Sequence, residues 1–357
     1  MKKALAVVGG IALIESALFL WNRSLQEKFQ GAQVYSLFFS PDGEILYGGG
    51  SDATALYQEH NWLWAWNPLD GRLLWKTLIP KSTYPRRLSP DGASLIIEPP
   101  TMALELWDTA THQRRGTLDK VDSDQSSEIR FTPDNQRIMA CYRDGVQVWD
   151  AHTGRTITFW QASKANCGRP VSLHFTPDGH KMLVGFSGLG IESPARPIQF
   201  WDTRNGHVLE DFEELEAPCA LSPSGNRIAL MCIDRNKKNA SSRIGVYDMR
   251  HGVLALSAPQ TSLYKPELLR FVSENNLLYT RTYTKLEERR PPQTFLWDFR
   301  QNRMIEQVVK GVEALSPDRR LKAVANRGNY QSHPSLATLY DAVTGAKLRD
   351  LEGHAGR

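Results

Sequence analysis

A five-residue turn signature, FSPDG at Phe39 to Gly43, recurs along this chain with an aromatic–Asp pair following each copy. The further copies are LSPDG at Leu88 to Gly92, FTPDN at Phe131 to Asn135, FTPDG at Phe175 to Gly179, LSPSG at Leu221 to Gly225, FVSEN at Phe271 to Asn275 and LSPDR at Leu315 to Arg319. The aromatic pairs are Trp66-Asn67, Trp107-Asp108, Trp149-Asp150, Trp201-Asp202, Tyr247-Asp248, Trp297-Asp298 and Tyr340-Asp341. Two correlated signatures at a period of roughly 45 residues mean one supersecondary unit per repeat, stacked because no single unit can bury both its faces.

The spacing predicts an all-β fold: a seven-bladed β-propeller of four-stranded antiparallel blades, with one hydrophobic helix before it. Proline presets φ in each first turn, Asp accepts backbone hydrogen bonds, and Gly or Asn tolerates the positive φ that closes the hairpin. Asp150 to Gly154 and Asp341 to Gly345 form the matching turn after the third strand. The aromatic before each Asp is expected in the core between blades. On these residues the chain resembles the WD-repeat family, over about 33 to 354. The resemblance implies a propeller and is almost silent on activity, because one fold hosts many functions. The Gly-His and Ser/Thr members of that family's hydrogen-bond network are mostly missing here; the Gly353-His354 pair stands after the last blade.

Lys2 and Lys3 precede an apolar run from Ala4 to Trp21, broken by Glu15 and Ser16 and closed by Arg23. Roughly 18 residues at about 1.5 Å each approach the thickness of a bilayer core. No small-x-small cleavage site stands out, so residues 1–22 are expected to be a signal anchor, with a cleaved signal peptide as the alternative. The charge difference across the run places the propeller outside the cytoplasm, periplasmic in a bacterium; secreted and cytoplasmic forms are the alternatives. Glu15 opposes a spanning helix. A linker at 23–33 and a propeller at 34–354 complete the expected organisation.

The 43 basic and 39 acidic residues nearly balance, which does not indicate a nucleic-acid surface. Cys141, Cys167, Cys219 and Cys232 lack zinc spacing, and a Cys219–Cys232 bridge across one hairpin is conceivable. No GxSxG elbow, phosphate loop or metal-spaced histidine set is present, so no catalytic, cofactor or metal residue is expected. The alternatives to a membrane-tethered binding scaffold are a cytosolic assembly scaffold whose N-terminal helix is only peripheral, and a quinone-type propeller enzyme, because Trp66 to Trp75 looks like the tryptophan-docking segment of such proteins. Eight blades and the adjacent cysteines usual for quinone binding are missing.

Loops in such a fold alternate between two faces. The SPDG and post-Trp turns are short and stereotyped; connections between second and third strands, and between blades, are long and individual. Long loops on a rigid scaffold carry recognition. Tyr84, Arg86 and Arg87 in an interblade connection, Arg235, Lys237 and Lys238 in a second loop, and Arg289 and Arg290 in a third are the candidate contacts for a protein partner. The residues just before four signatures, Arg87, Arg130, His174 and Arg270, fall late in the innermost strands and could ring a channel end; pairing with turn carboxylates such as Asp91 or Asp134 is the simpler expectation.

Overall fold

The computed structural model describes residues 33–352 apart from 54–58, 81–82, 100–102, 120–127, 143, 162–168, 188–197, 213–215, 235–240, 257–263, 284–292, 308–312, 326–335 and 343. Seven four-stranded sheets follow one another, each taking its strands in chain order. These blades 1 to 7 occupy 33–79, 84–117, 128–161, 169–212, 216–256, 264–307 and 313–351. The fold is a seven-bladed β-propeller. Its described residues contain no α-helix, and no helix among them is long and apolar enough to cross a membrane. The segment 1–22, on which the anchor expectation rests, lies outside the described residues.

Alternation explains the sheets. In blade 3, Val146 and Val148 turn to one side and join a core with Leu173, Met182 and Trp201 of blade 4. Trp149 turns to the other side and joins Leu104, Leu106 and Leu118 of blade 2. Side chains that change face at every residue give each sheet two apolar surfaces, so the core forms between sheets. The same logic packs blade 4 on blade 5 through Phe200 and Leu230, and blade 5 on blade 6 through Val246 and Trp297.

The chain divides into two compact units. One comprises residues up to Arg86, 97–101 and those from Lys310; the other comprises 87–96 and 102–309. Within the first unit, blade 1 meets blade 7: Trp64, Trp66 and Leu46 share a core with Ala323, Leu339 and Leu351. The fourth strand of blade 7, Lys347–Leu351, is the last element of its sheet. Trp66 is fully buried and its indole N–H donates to the Glu352 carbonyl at 2.7 Å. Burying an indole removes some 150–250 Å² from water, a gross gain of about 4–6 kcal/mol.

Three consecutive glycines in the second strand of blade 1 allow this packing. A Cβ on Gly48 would enter the Trp66 ring, and one on Gly49 would enter Pro85. No other residue type leaves room for them.

Candidate functional site

The stereotyped turns are self-contained. In blade 4 the Thr176 hydroxyl and the His180 N–H both donate to Asp178, and these bonds hold its carboxyl below the ordinary range. Asp42 is held low in the same way, by the Ser40 hydroxyl and then the Glu44 N–H. After the third strand, Asp150 accepts from the backbone and hydroxyl of Thr153 and from the His152 N–H. These carboxylates are committed to their own turns and do not converge on a ligand. Glycine takes positive φ at Gly43, Gly92, Gly179 and Gly225, whereas Asn135 and Arg319 adopt φ of 58° and 60° at the equivalent position.

Tyr84, Arg86 and Arg87 do not lie in a connection. They belong to the first strand of blade 2, Tyr84–Leu88, because the strand feeding the LSPDG turn extends back to Tyr84. Tyr84 is exposed and meets Tyr35 edge-on with ring centroids 5.6 Å apart. The Tyr35 hydroxyl lies 2.8 Å from Ser51 Oγ. Sequence reasoning does not single out Tyr35, although it precedes Phe39 by the same offset that separates Tyr84 from Leu88. The Arg86 guanidinium pairs with Glu98 at 3.2 Å. Arg235, Lys237, Lys238, Arg289 and Arg290 lie outside the described residues.

The residues before the signatures form a relay, and not with turn carboxylates. Arg87 of blade 2 donates to Glu128 of blade 3 at 3.1 Å, and Arg130 reaches the same carboxylate oxygen at 3.2 Å. Arg130 Nε also donates to the Leu173 carbonyl of blade 4. One blade further, His174 Nε2–H donates to the Cys219 carbonyl at 3.0 Å, while the Cys219 N–H donates to Ser172 Oγ. Apart from the Arg130–Glu128 pair, which lies within one strand, each link joins the first strand of one blade to that of the next. Asp91 and Asp134 are occupied by the Ser89 and Thr132 hydroxyls of their own turns. Arg270 holds the equivalent place in blade 6 and is exposed.

Burial lowers the pKa of His174 to about 4; its bond to the Cys219 carbonyl opposes the shift and the charge of Arg87 adds to it. The imidazole is therefore neutral at pH 7, although the residue keeps some accessible surface. Cys219 is a free thiol, so no Cys219–Cys232 bridge forms. Burial pushes it up to about 12, opposed by Ser172, and pushes the buried Cys141 up as well. Neither thiol has the thiolate character of a nucleophile.

Indole satisfaction differs from blade to blade. Trp107 N–H donates to Glu105, Trp201 to Gln199 and Trp297 to Asn302, whereas Trp149 and Trp66 use the carbonyls of Asp119 and Glu352. The repeat keeps the need for a partner, not its identity. Trp75, the second tryptophan of the quinone-like segment, is half-buried and lies 6.0 Å from Tyr47.

No protein-family model matches the chain. Protein groucho of Drosophila melanogaster is 26% identical over 150 residues, a stretch that spans 40% of this chain and 19% of that protein. Among solved structures, the Kuenenia stuttgartiensis hydrazine synthase superposes with a TM-score of 0.63 at 15% identity, covering 87% of this chain and 96% of that one. The β-propeller domain of Cps50 (Swd1) from Myceliophteria thermophila gives 0.61 at 14%, covering 88% and 98%. At these identities the two structures attest the fold alone. With its recurrent turns, its aromatic–Asp pairs and its seven four-stranded sheets, the chain is a seven-bladed β-propeller whose repeats resemble those of WD proteins.

Proposed function

We propose that this chain is a non-catalytic protein-interaction scaffold that is tethered to a membrane through residues 1–22 and presents its propeller on the extracytoplasmic side. It binds a protein partner through the face of long connections. The observation that carries this reading is the contrast between faces: the described hairpin turns satisfy their own polar groups, while individual sequence is concentrated in connections such as 235–240 and 284–292. Rigid strands beneath variable loops are the usual arrangement of a binding platform. The exposed Tyr35–Tyr84 pair adds aromatic surface at the same ends of the first strands.

Affinity capture from the native membrane tests the partner claim. Arg235→Glu with Lys237→Glu and Lys238→Glu is expected to lose a protein that wild type retains, whereas the turn-face variant Arg320→Glu keeps it. Equal recovery by both variants refutes the loop-face assignment. Extraction of the chain by alkaline carbonate, or resistance of the propeller to protease added to cells whose outer barrier has been opened, refutes the tether and its orientation.

A further inference from the structure

The N-terminal segment joins blade 1 at the end that carries its irregular connections. Gln33, where the first strand begins, stands opposite Ser51, and the second and third strands run to Ala53 and Glu59 on either side of the connection 54–58. Asn61 stands opposite Ile79, so the fourth strand leaves for blade 2 from this end as well. The stereotyped turns, Ser40 to Ile45 and Asn67 to Arg72, close the other end. A first strand of 7 residues puts about 20 Å between the two ends.

The entry end also carries exposed aromatic surface. Just past Gln33, Tyr35 lies edge-on to Tyr84, the first residue of blade 2, and the two are 37% and 44% exposed. A ring bearing a hydroxyl suits a boundary between apolar and wet surroundings.

The tether proposed above reaches this end through about ten residues, 23–32. Fully extended they span about 35 Å, and as a coil they average about 20 Å. That average does not exceed the length of the blade, so the connection end stays nearer the bilayer than the turn end. A soluble domain of about 100 residues measures about 30–35 Å across. It fits between bilayer and loop face only when the linker is drawn taut, with loss of most of its conformational freedom. A segment that stands on the membrane itself meets the face without that cost.

We infer that the partner of the loop face is itself embedded in the membrane, and that a short segment of it lying just above the headgroups covers the Tyr35–Tyr84 end of blade 1. The inference rests on the tether of residues 1–22 and names the class of partner that such a tether admits.

The test uses the full chain in its native membrane, with Cys167→Ser and Cys232→Ser. Cys141 and Cys219 are buried and their thiols are pushed up in pKa, so an introduced thiol is the reactive one. A cleavable photoreactive label is attached at His60→Cys, exposed at the connection end, or at Leu69→Cys, 73% exposed at the turn end. After illumination and cleavage the label stays on whatever lay beside it. Proteins labelled from position 60, and not from position 69, are expected to resist extraction by alkaline carbonate. Their labelling is expected to fall when about 40 flexible residues are inserted after Ala32, because the local concentration drops about tenfold. The inference is overturned by labelled proteins that carbonate extracts, by label on lipid alone or on nothing, by equal labelling from both positions, or by labelling that the longer linker leaves unchanged or raises. Carbonate extraction of the chain itself defeats the tether, whereas a retained chain beside an extractable labelled protein defeats only the class of partner.

Discussion

Blades 1 and 7 adhere through apolar surface, whereas blades 2 to 5 add a polar relay at the same depth of the first strand. The residue before the signature is Phe38 in blade 1 and Ala314 in blade 7, but Arg87, Arg130 and His174 in blades 2 to 4. The first junction has Trp66 and Leu351 almost free of solvent contact; the second spends side-chain hydrogen bonds on Glu128, Leu173 and Cys219. Apolar contact is non-directional and is not screened by salt, while charged links fix the register of neighbouring strands and respond to pH. One repeat therefore supplies two kinds of cohesion.

Removing everything after Asp341 is the severest challenge to the apolar junction. It deletes the fourth strand of blade 7 and strips Trp66 of its acceptor, so loss of cooperative melting is expected by circular dichroism. A truncated chain with the parent melting temperature would show that the junction contributes nothing. Glu128→Ala probes the relay. It leaves Arg87 and Arg130 facing each other without their shared carboxylate, and a loss of about 1–3 kcal/mol in urea unfolding is expected, shrinking at high salt. Salt-independent loss would mean that packing, not charge, is at stake.

The relay also predicts an acid limb. His174 has its pKa lowered in the folded state, so between about pH 6.5 and about pH 4 the unfolded chain takes up the proton and stability falls as pH falls. His174→Gln should flatten that window and leave the steeper loss below pH 3.8, where turn carboxylates such as Asp178 are protonated. An unchanged profile in the variant contradicts the assignment. The smallest expected effect is a gain. Arg319 holds φ of 60° where four other blades have glycine, and Arg319→Gly should stabilise by up to about 1 kcal/mol, read as a rise in melting temperature.

Much of the fold is legible because turn chemistry is local. Pro133-Asp134-Asn135 announces its hairpin without reference to any other residue, and seven such announcements fix the blade count. The relay is only half legible. Position singles out Arg87, Arg130 and His174, yet their partners depend on how one first strand sits beside the next, which spacing does not encode. Nearby Asp91 and Asp134 look available in the sequence, but their own Ser89 and Thr132 claim them. Spacing puts Tyr84 and Arg86 in a connection, wrongly, because a strand start carries no marker comparable to the turn that ends it.

The indole of Trp66 and the carbonyl that receives it are separated by 286 positions. At synthesis rates of about 5–20 residues per second, the acceptor leaves the ribosome roughly 15–60 s after the donor. Throughout that interval the nascent first blade has an unclosed flank, and its apolar surface waits for the last strands to be made.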